Sequence, residues 1–303
     1  MKIFFISFFL PFYLHSSTFD IKAIQEDFYN KVVFEPLYLQ RYNIPLDAIC
    51  EWHTEQCYKI ERDKLELDPS TEILLKKRDA KFTLDERYWN LAQKHLWNVR
   101  ENFSSSQFLT LVDLSKQVLI LVLWDNEKET FYPIGFDFIS GGNMDKEMQV
   151  INGDDHYLKT PAGLFSIQSG WRSDGKILED NITMPYGKKD RFVFYFGKQM
   201  SVRYNTFDKN GTKILDASKW QLITDELELA IHAHKSTTSF GRAHSHGCIR
   251  MTNELNIFLD NNLVFFKNFY NENNEWLYPD KKQPSEPKNH KLSGEYMLVI
   301  DKL

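Results

Sequence analysis

The residues of this sequence best suited to chemistry lie around a single thiol, that of Cys248. A thiol of ordinary pKa is mostly protonated at neutral pH, so a cysteine nucleophile needs an imidazole within hydrogen-bonding distance. Four of the nine histidines lie in the segment leading to this cysteine: His232, His234, His244 and His246. His246 is near in sequence, whereas His232 is far enough upstream to lie on an adjacent strand. The cluster indicates nucleophilic catalysis by Cys248, with both bases open at this point.

The neighbours of the thiol have supporting roles in this interpretation. Gly247 allows a tight turn and a close approach of backbone to substrate, which leaves main-chain N–H groups available for an oxyanion. Ser245 is expected to support the loop through a hydroxyl hydrogen bond. Arg250 could bind a substrate carboxylate through two hydrogen bonds or form an internal salt bridge, and the sequence does not separate these alternatives.

A zinc site is the competing interpretation of the same side chains. Two His-x-His segments on extended strands place their rings on one face, and Cys248 could complete the ligand set. Zinc hydrolases usually add a carboxylate base, however, and none lies beside these residues. We therefore favour the cysteine enzyme and predict neither a metal nor another cofactor.

Composition and the N-terminus limit the class of protein. With 42% hydrophobic residues, a chain of 303 residues can bury a substantial core, and a net charge of -5 without a basic block argues against nucleic acid as a partner. Residues 1–17 combine one lysine with a short apolar run and a small-residue end, a pattern typical of a secretion signal. Export to the periplasm or cell envelope is therefore expected. Cys50 and Cys57 either form a disulfide there or pack as reduced thiols, which leaves Cys248 as the odd cysteine.

Two regions follow the signal. Residues 18–104 have a mainly helical pattern, in which Thr83 and Glu86 predict a capping box and Trp89 and Trp97 are expected in a core. A dimerisation element, a lid and a wall-docking module are equally open roles for this region. From residue 105 the pattern changes to short strands separated by Gly and Pro turns. It predicts two strands around Ser115-Lys116 and a helix capped by Thr252. A polar excursion over 271–293 and a last strand before residue 301 follow. This part predicts a sheet sandwich or barrel.

Three segments carry a family resemblance: Ser245-His246-Gly247-Cys248-Ile249-Arg250, the upstream Ile231-His232-Ala233-His234 and the turn Thr160-Pro161-Ala162-Gly163. Together they resemble the L,D-transpeptidase (YkuD-like) catalytic domain. The resemblance spans roughly residues 107–270, and residues 271–303, with the polar excursion and the final strand, are expected to complete the domain. It implies an α+β fold with a mainly-β sandwich, preceded by the smaller helical region. It also implies that His232 is the base, oriented by a backbone carbonyl near Ala233, although the family usually has Gly at that position. His246 and His234 then become pocket residues.

The resemblance further implies a peptidoglycan enzyme. Its thiolate would attack the bond between a diamino acid and D-Ala in a tetrapeptide stem and transfer the acyl group to an amine of a second stem. An L,D-carboxypeptidase that transfers the same group to water is the alternative, and a wall-binding module without turnover is a third. Peptidoglycan stem peptides are the expected partners, with peripheral association with the cell wall. Trp171 and Arg172 are expected to line the stem-binding cleft.

Overall fold

The computed structural model describes residues 19–41, 69–142, 158–179, 181–234, 240–271, 273, 275–277 and 290–303. The predicted signal, the pair of Cys50 and Cys57 and most of the polar excursion lie outside these ranges. The division of the chain at residues 17, 104 and 270 stays a prediction.

Helices dominate the described residues before the first strand. They are α1 (Ile21–Phe28), which continues as one π-helical turn (Tyr29–Phe34), then α2 (Glu35–Arg41), α3 (Pro69–Asp79), α4 (Glu86–Asn98) and a short 3-10 turn (Arg100–Asn102).

The predicted capping box at the start of α4 is wrong. Asp85 is the N-cap residue, and its carboxylate accepts a hydrogen bond of 2.7 Å from the Tyr88 backbone N–H. The Thr83 hydroxyl instead donates to the Asp79 carbonyl at 3.0 Å. A carboxylate at the N-cap satisfies an otherwise unpaired N–H as well as a hydroxyl does, so the helix begins two residues later than the Thr83 cap would place it.

The first of two sheets has the strand order β3-β2-β1-β9-β4. Its strands are β1 (Gln107–Asp113), β2 (Val118–Asp125), β3 (Thr130–Phe138), β4 (Gly163–Ser166) and β9 (Tyr296–Ile300). The prediction of two strands around Ser115-Lys116 is confirmed, since β1 and β2 pair antiparallel across that turn. The predicted last strand, β9, lies inside the sheet, parallel to β1 and antiparallel to β4.

The second sheet has the order β5-β6-β7-β8, and its last two strands flank the segment that contains Cys248. Its strands are β5 (Ser169–Arg172), β6 (Phe192–Asn205), β7 (Gln221–Ala233) and β8 (Ile249–Met251). The helix α5 (Asn253–Asn261) follows β8, and the Thr252 hydroxyl caps it by accepting from the Leu255 N–H at 3.2 Å, as predicted. Further 3-10 turns cover Ala217–Lys219, Lys267–Phe269 and His290–Leu292.

The core lies between the sheets and includes the N-terminal helices. Phe192 and Phe194 alternate inwards from β6 and pack against Phe266, with ring centroids 4.9 and 5.6 Å apart. From α1, Phe28 enters the same core and contacts Phe258 of α5 edge to face at 5.1 Å. On the other face of the first sheet, α4 buries Ala92 and Leu96 against a second apolar cluster. The expected α+β fold with a mainly-β sandwich is confirmed. In the described ranges, no helix combines the length and apolar character needed to cross a bilayer.

Candidate active site

The parallel pairing of β7 with β8 positions the chemically active side chains. His232 is the register partner of Arg250, and Ile231 is the partner of Ile249. Successive strand residues point to opposite faces. Ile231 and Ile249 are completely buried in the core, so His232 and Arg250 share the opposite face of the sheet. Cys248 directly precedes β8, and the Ala230 N–H of β7 hydrogen-bonds its sulfur. The two strands therefore bring Cys248 and His232 to the same edge of the catalytic face.

The orientation of the His232 ring is set by the backbone. Its Nδ1 lies 2.8 Å from the Ala233 carbonyl oxygen. A carbonyl oxygen only accepts hydrogen bonds, so Nδ1 carries the proton and Nε2 is left as the basic nitrogen. Burial lowers the pKa of His232 to about 4, which outweighs the opposing effect of this hydrogen bond. The ring is neutral at neutral pH and can accept a proton.

The chain accommodates Ala233 through a glycine on the neighbouring loop. A Cβ added to Gly187 would lie 2.6 Å from the Ala233 Cβ, closer than two such atoms can approach. Gly187 has a φ of +75°, a conformation that glycine adopts without strain. The backbone carbonyl of residue 233 thus reaches His232 although a side chain is present where the family usually has none.

The Cys248 thiol is also uncharged at rest. Burial raises its pKa, and the Ala230 N–H and the Arg250 charge oppose this shift only in part. Because burial shifts the pKa values of Cys248 and His232 in the directions that favour their neutral forms, the resting pair is a thiol and an imidazole. A nucleophilic attack by Cys248 would therefore require transfer of the thiol proton to a base during the attack.

A hydrogen-bonded loop holds Cys248 in place. The buried Ser245 hydroxyl donates to the Cys248 carbonyl and accepts from the Gly247 N–H at 3.1 Å, which is the kind of support predicted for it. The Gly247 N–H is therefore engaged by Ser245, and the expectation that main-chain N–H groups of this loop hold an oxyanion stays a prediction for its other amides. Gly247 itself has a φ of +126°, a conformation that favours glycine.

Thr160 connects this loop to the Gly141-Gly142 turn. Its hydroxyl donates to the Gly247 carbonyl at 2.7 Å and accepts from the Gly142 N–H at 2.8 Å. The two segments approach so closely that a Cβ on Gly142 would lie 3.0 Å from the Gly247 Cα. The sequence marked the Thr160 turn as part of a motif without giving its role, which is to brace the catalytic loop.

The remaining predicted site residues surround this centre. Arg250 extends its guanidinium to the His244 carbonyl and to Nδ1 of the exposed His246, each at 3.4 Å. His234 is buried, with its ring 6.4 Å from that of His232, and burial together with Arg250 lowers its pKa to about 3. In the part of the chain that the structure describes, no three His, Cys, Asp or Glu side chains form a group that could hold a metal ion.

Trp171 and Arg172, both predicted to line the stem-binding cleft, have their side chains on opposite faces of the second sheet. Arg172 forms a salt bridge with Asp260 of α5, with a distance of 3.0 Å from Nη2 to Oδ1, and stacks over Phe192. Its predicted place in the cleft is wrong, because consecutive strand residues face opposite sides and Arg172 takes the inner one. A further residue of the site is Tyr186, whose ring packs edge to face on His232 at 5.1 Å and which no sequence motif marks. Tyr186 lies in a loop between strands, where no periodicity could have singled it out.

Fold and site together define a two-sheet protein in which a histidine on one strand lies beside a cysteine that directly precedes the adjoining strand. Residues 108–280, more than half of the chain, match the family model of YkuD, the L,D-transpeptidase catalytic domain. The chain belongs to this family and carries an L,D-transpeptidase-type catalytic domain, which confirms the resemblance found in the sequence.

Solved structures match at low identity. The L,D-transpeptidase of Xylanimonas cellulosilytica is 16% identical over 77% of this chain and 70% of that one, with a TM-score of 0.29. An L,D-transpeptidase from Mycobacterium smegmatis is 12% identical, covering 64% and 59%, with a TM-score of 0.26. The helical cell shape determining protein Pgp2 from Campylobacter jejuni is 14% identical, covering 66% and 49%, with a TM-score of 0.31. The chain spans less than two thirds of the last two structures. A comparison with curated proteins gave no match.

Proposed function

We propose that this protein is a peptidoglycan L,D-transpeptidase with Cys248 as nucleophile and His232 as general base. The observation that carries the proposal is the Nδ1 hydrogen bond of His232 to the Ala233 carbonyl, because it leaves Nε2 basic on the face where Cys248 lies. Membership of the family supports the choice of substrate, a tetrapeptide stem that ends in a diamino acid and D-Ala.

The reaction has two balanced steps. In the first, the Cys248 sulfur attacks the carbonyl of the diamino acid while His232 Nε2 takes the thiol proton. The bond to the D-Ala nitrogen breaks, His232 returns the proton to that nitrogen, and a thioester remains on Cys248. In the second, an amine of another stem attacks the thioester, the sulfur leaves, and the proton released by the amine returns to the thiolate through His232. The product is a cross-link between two stems.

Arg250 and His246 are proposed to bind the substrate. Arg250 is on the catalytic face, and its Nη2 contacts the exposed His246 ring at 3.4 Å, so the pair presents a cation and a polar ring beside Cys248. A carboxylate of the stem is the group that this arrangement suits. The secretion signal predicted for residues 1–17 supports the further proposal that the enzyme works in the periplasm or cell envelope, where its substrate would be located.

Incubation of the purified protein with disaccharide tetrapeptide, followed by mass spectrometry, tests the proposal. We expect dimers that have lost one D-Ala. The variant Cys248→Ala should form neither dimer nor thioester. His232→Ala should lose at least 100-fold in kcat, whereas His246→Ala, the matched histidine control, should keep its chemical step and change mainly KM.

Two other outcomes would revise the proposal. Release of tripeptide as the sole product would identify water as the acceptor and the enzyme as an L,D-carboxypeptidase. Retention of activity in Cys248→Ala would refute the nucleophile.

A further inference from the structure

Three aromatic side chains beside the catalytic pair form what we call the aromatic platform: Trp171 of β5, Tyr186 of the following loop and Tyr195 of β6. The Trp171 ring lies 5.8 Å from that of Tyr186 and 6.3 Å from that of Tyr195. Trp171 is 38% exposed and Tyr186 is 43% exposed. Large aromatic side chains left exposed together mark binding surfaces more often than folding requirements.

The platform lies on the catalytic face of the second sheet. Tyr195 is the register partner of both Ser169 and Ala230, so the outward side of β5, β6 and β7 is shared by Trp171, Tyr195 and His232. Tyr186 joins the platform to the reacting groups, because its ring contacts His232 and its hydroxyl lies within the electrostatic influence of Cys248. A ligand held at Cys248 would therefore extend across Tyr186 towards Trp171.

The chemistry of the platform suits a sugar ring. A pyranose presents C–H bonds on its face and hydroxyl groups at its edge, so it needs a flat apolar surface next to hydrogen-bond acceptors. The Trp171 indole offers the surface. Glu228, which accepts a hydrogen bond from the Tyr195 hydroxyl, places a carboxylate at the edge of the platform.

The distances fit the substrate. Two ring-to-ring steps, 5.1 Å from His232 to Tyr186 and 5.8 Å from Tyr186 to Trp171, lead away from the catalytic base. Three extended residues span roughly 10 Å, a length of the same order as this path. With the stem lying across Tyr186, its sugar would reach Trp171.

We propose that the aromatic platform binds the disaccharide of the donor, so that the enzyme acts on glycan-linked stems in preference to free peptides. This inference rests on the proposed function, which supplies the stem and therefore the sugar. Trp171 stacks on the pyranose ring, and Tyr186 both covers the stem and packs against His232.

The test compares kcat/KM for D-Ala release from disaccharide tetrapeptide and from the free tetrapeptide. The ratio of the two values should favour the disaccharide in the wild type, fall at least 10-fold in Trp171→Ala, and recover in Trp171→Phe. Leu222→Ala, which removes another exposed apolar side chain from the same sheet, should keep the wild-type ratio. A ratio that stays unchanged in folded Trp171→Ala would overturn the proposal, whether kcat/KM is retained or falls equally on both substrates. Equal losses would mean that the ring binds peptide or supports the loop.

A binding measurement keeps this inference separate from the proposed function. Saturation-transfer NMR with the peptide-free disaccharide should show binding to Cys248→Ala and its loss in Cys248→Ala combined with Trp171→Ala. If the wild type releases no D-Ala but the disaccharide still binds through Trp171, the reaction is wrong and the sugar site stands. If D-Ala is released but the disaccharide does not bind, the platform has another role.

Discussion

Thr160→Val should remove the hydrogen bonds that support the loop before Cys248 while keeping the shape of the side chain. The completely buried Thr160 hydroxyl serves two segments, since it donates to the Gly247 carbonyl at 2.7 Å and accepts from the Gly142 N–H at 2.8 Å. Valine leaves both backbone groups unpaired, and each unpaired buried group costs about 1–3 kcal/mol. Because the Gly142 N–H is only partly buried, we expect a total loss of about 2–4 kcal/mol in the free energy of unfolding.

Stability and activity should respond together. A loss of this size lowers the melting temperature by about 5–10 °C in a domain of this size, which differential scanning calorimetry would detect. Gly247 is adjacent to the nucleophile, so kcat/KM should also fall, by about 10- to 100-fold, because small displacements of reacting groups are costly.

Thr110→Val is the matched control. Thr110 is a completely buried threonine on β1 whose hydroxyl has no hydrogen-bond partner among the described residues. Its removal should leave stability unchanged or slightly higher. Equal melting temperatures for the two variants, with the activity of Thr160→Val within twofold of wild type, would refute the bracing role of Thr160.

Two further predictions concern charge. Burial lowers the pKa of His232 to about 4, so kcat/KM should fall only as the pH drops towards 4, where the base becomes protonated. Burial raises the pKa of Cys248, so the rate of its alkylation by iodoacetamide should still rise about tenfold per pH unit near pH 8. An alkylation rate that is already constant at pH 7 would instead indicate a thiolate–imidazolium ion pair at rest. Arg172→Ala should cost about 3–5 kcal/mol in urea unfolding, since it leaves the buried Asp260 carboxylate without its salt-bridge partner, and the apolar double variant Arg172→Met with Asp260→Leu should recover most of that loss. No recovery in the double variant would mean that Arg172 stabilises through its stacking on Phe192.

Local patterns predicted the strands well because their cause is local. The apolar run from Val118 to Trp124 is buried on both faces of β2, and the alternation around Phe192 and Phe194 corresponds to an inward row on β6. Periodicity was less accurate on α4. Leu91 and the neighbouring Ala92 both fit a helical repeat, but Leu91 is 40% exposed and Ala92 is completely buried, and Trp97, which was expected in a core, is 42% exposed. The choice between such neighbours depends on the sheet against which the helix packs, and no local pattern contains that information.

The site was predictable where a motif encodes it and not where tertiary contacts do. The supporting hydroxyl of Ser245 followed from its position two residues before Gly247. The contact of Tyr186 with His232 joins a loop to a strand far along the chain, and the inward turn of Arg172 depends on Asp260 of α5. These contacts exist only after the two sheets and α5 have assembled. The sequence shows the residues but not which of them come into contact.

The central position of β9 has a consequence for how the protein is made. Met297 pairs with both Thr110 of β1 and Phe165 of β4, so this strand separates two parts of the first sheet that are synthesised much earlier. Until residues 296–300 emerge, β1 and β4 each present an unpaired edge, and unpaired edges promote aggregation. Pairings between residues so distant in sequence also form slowly. We expect the partly synthesised chain to be prone to such edge pairing until the strand over 296–300 closes the sheet.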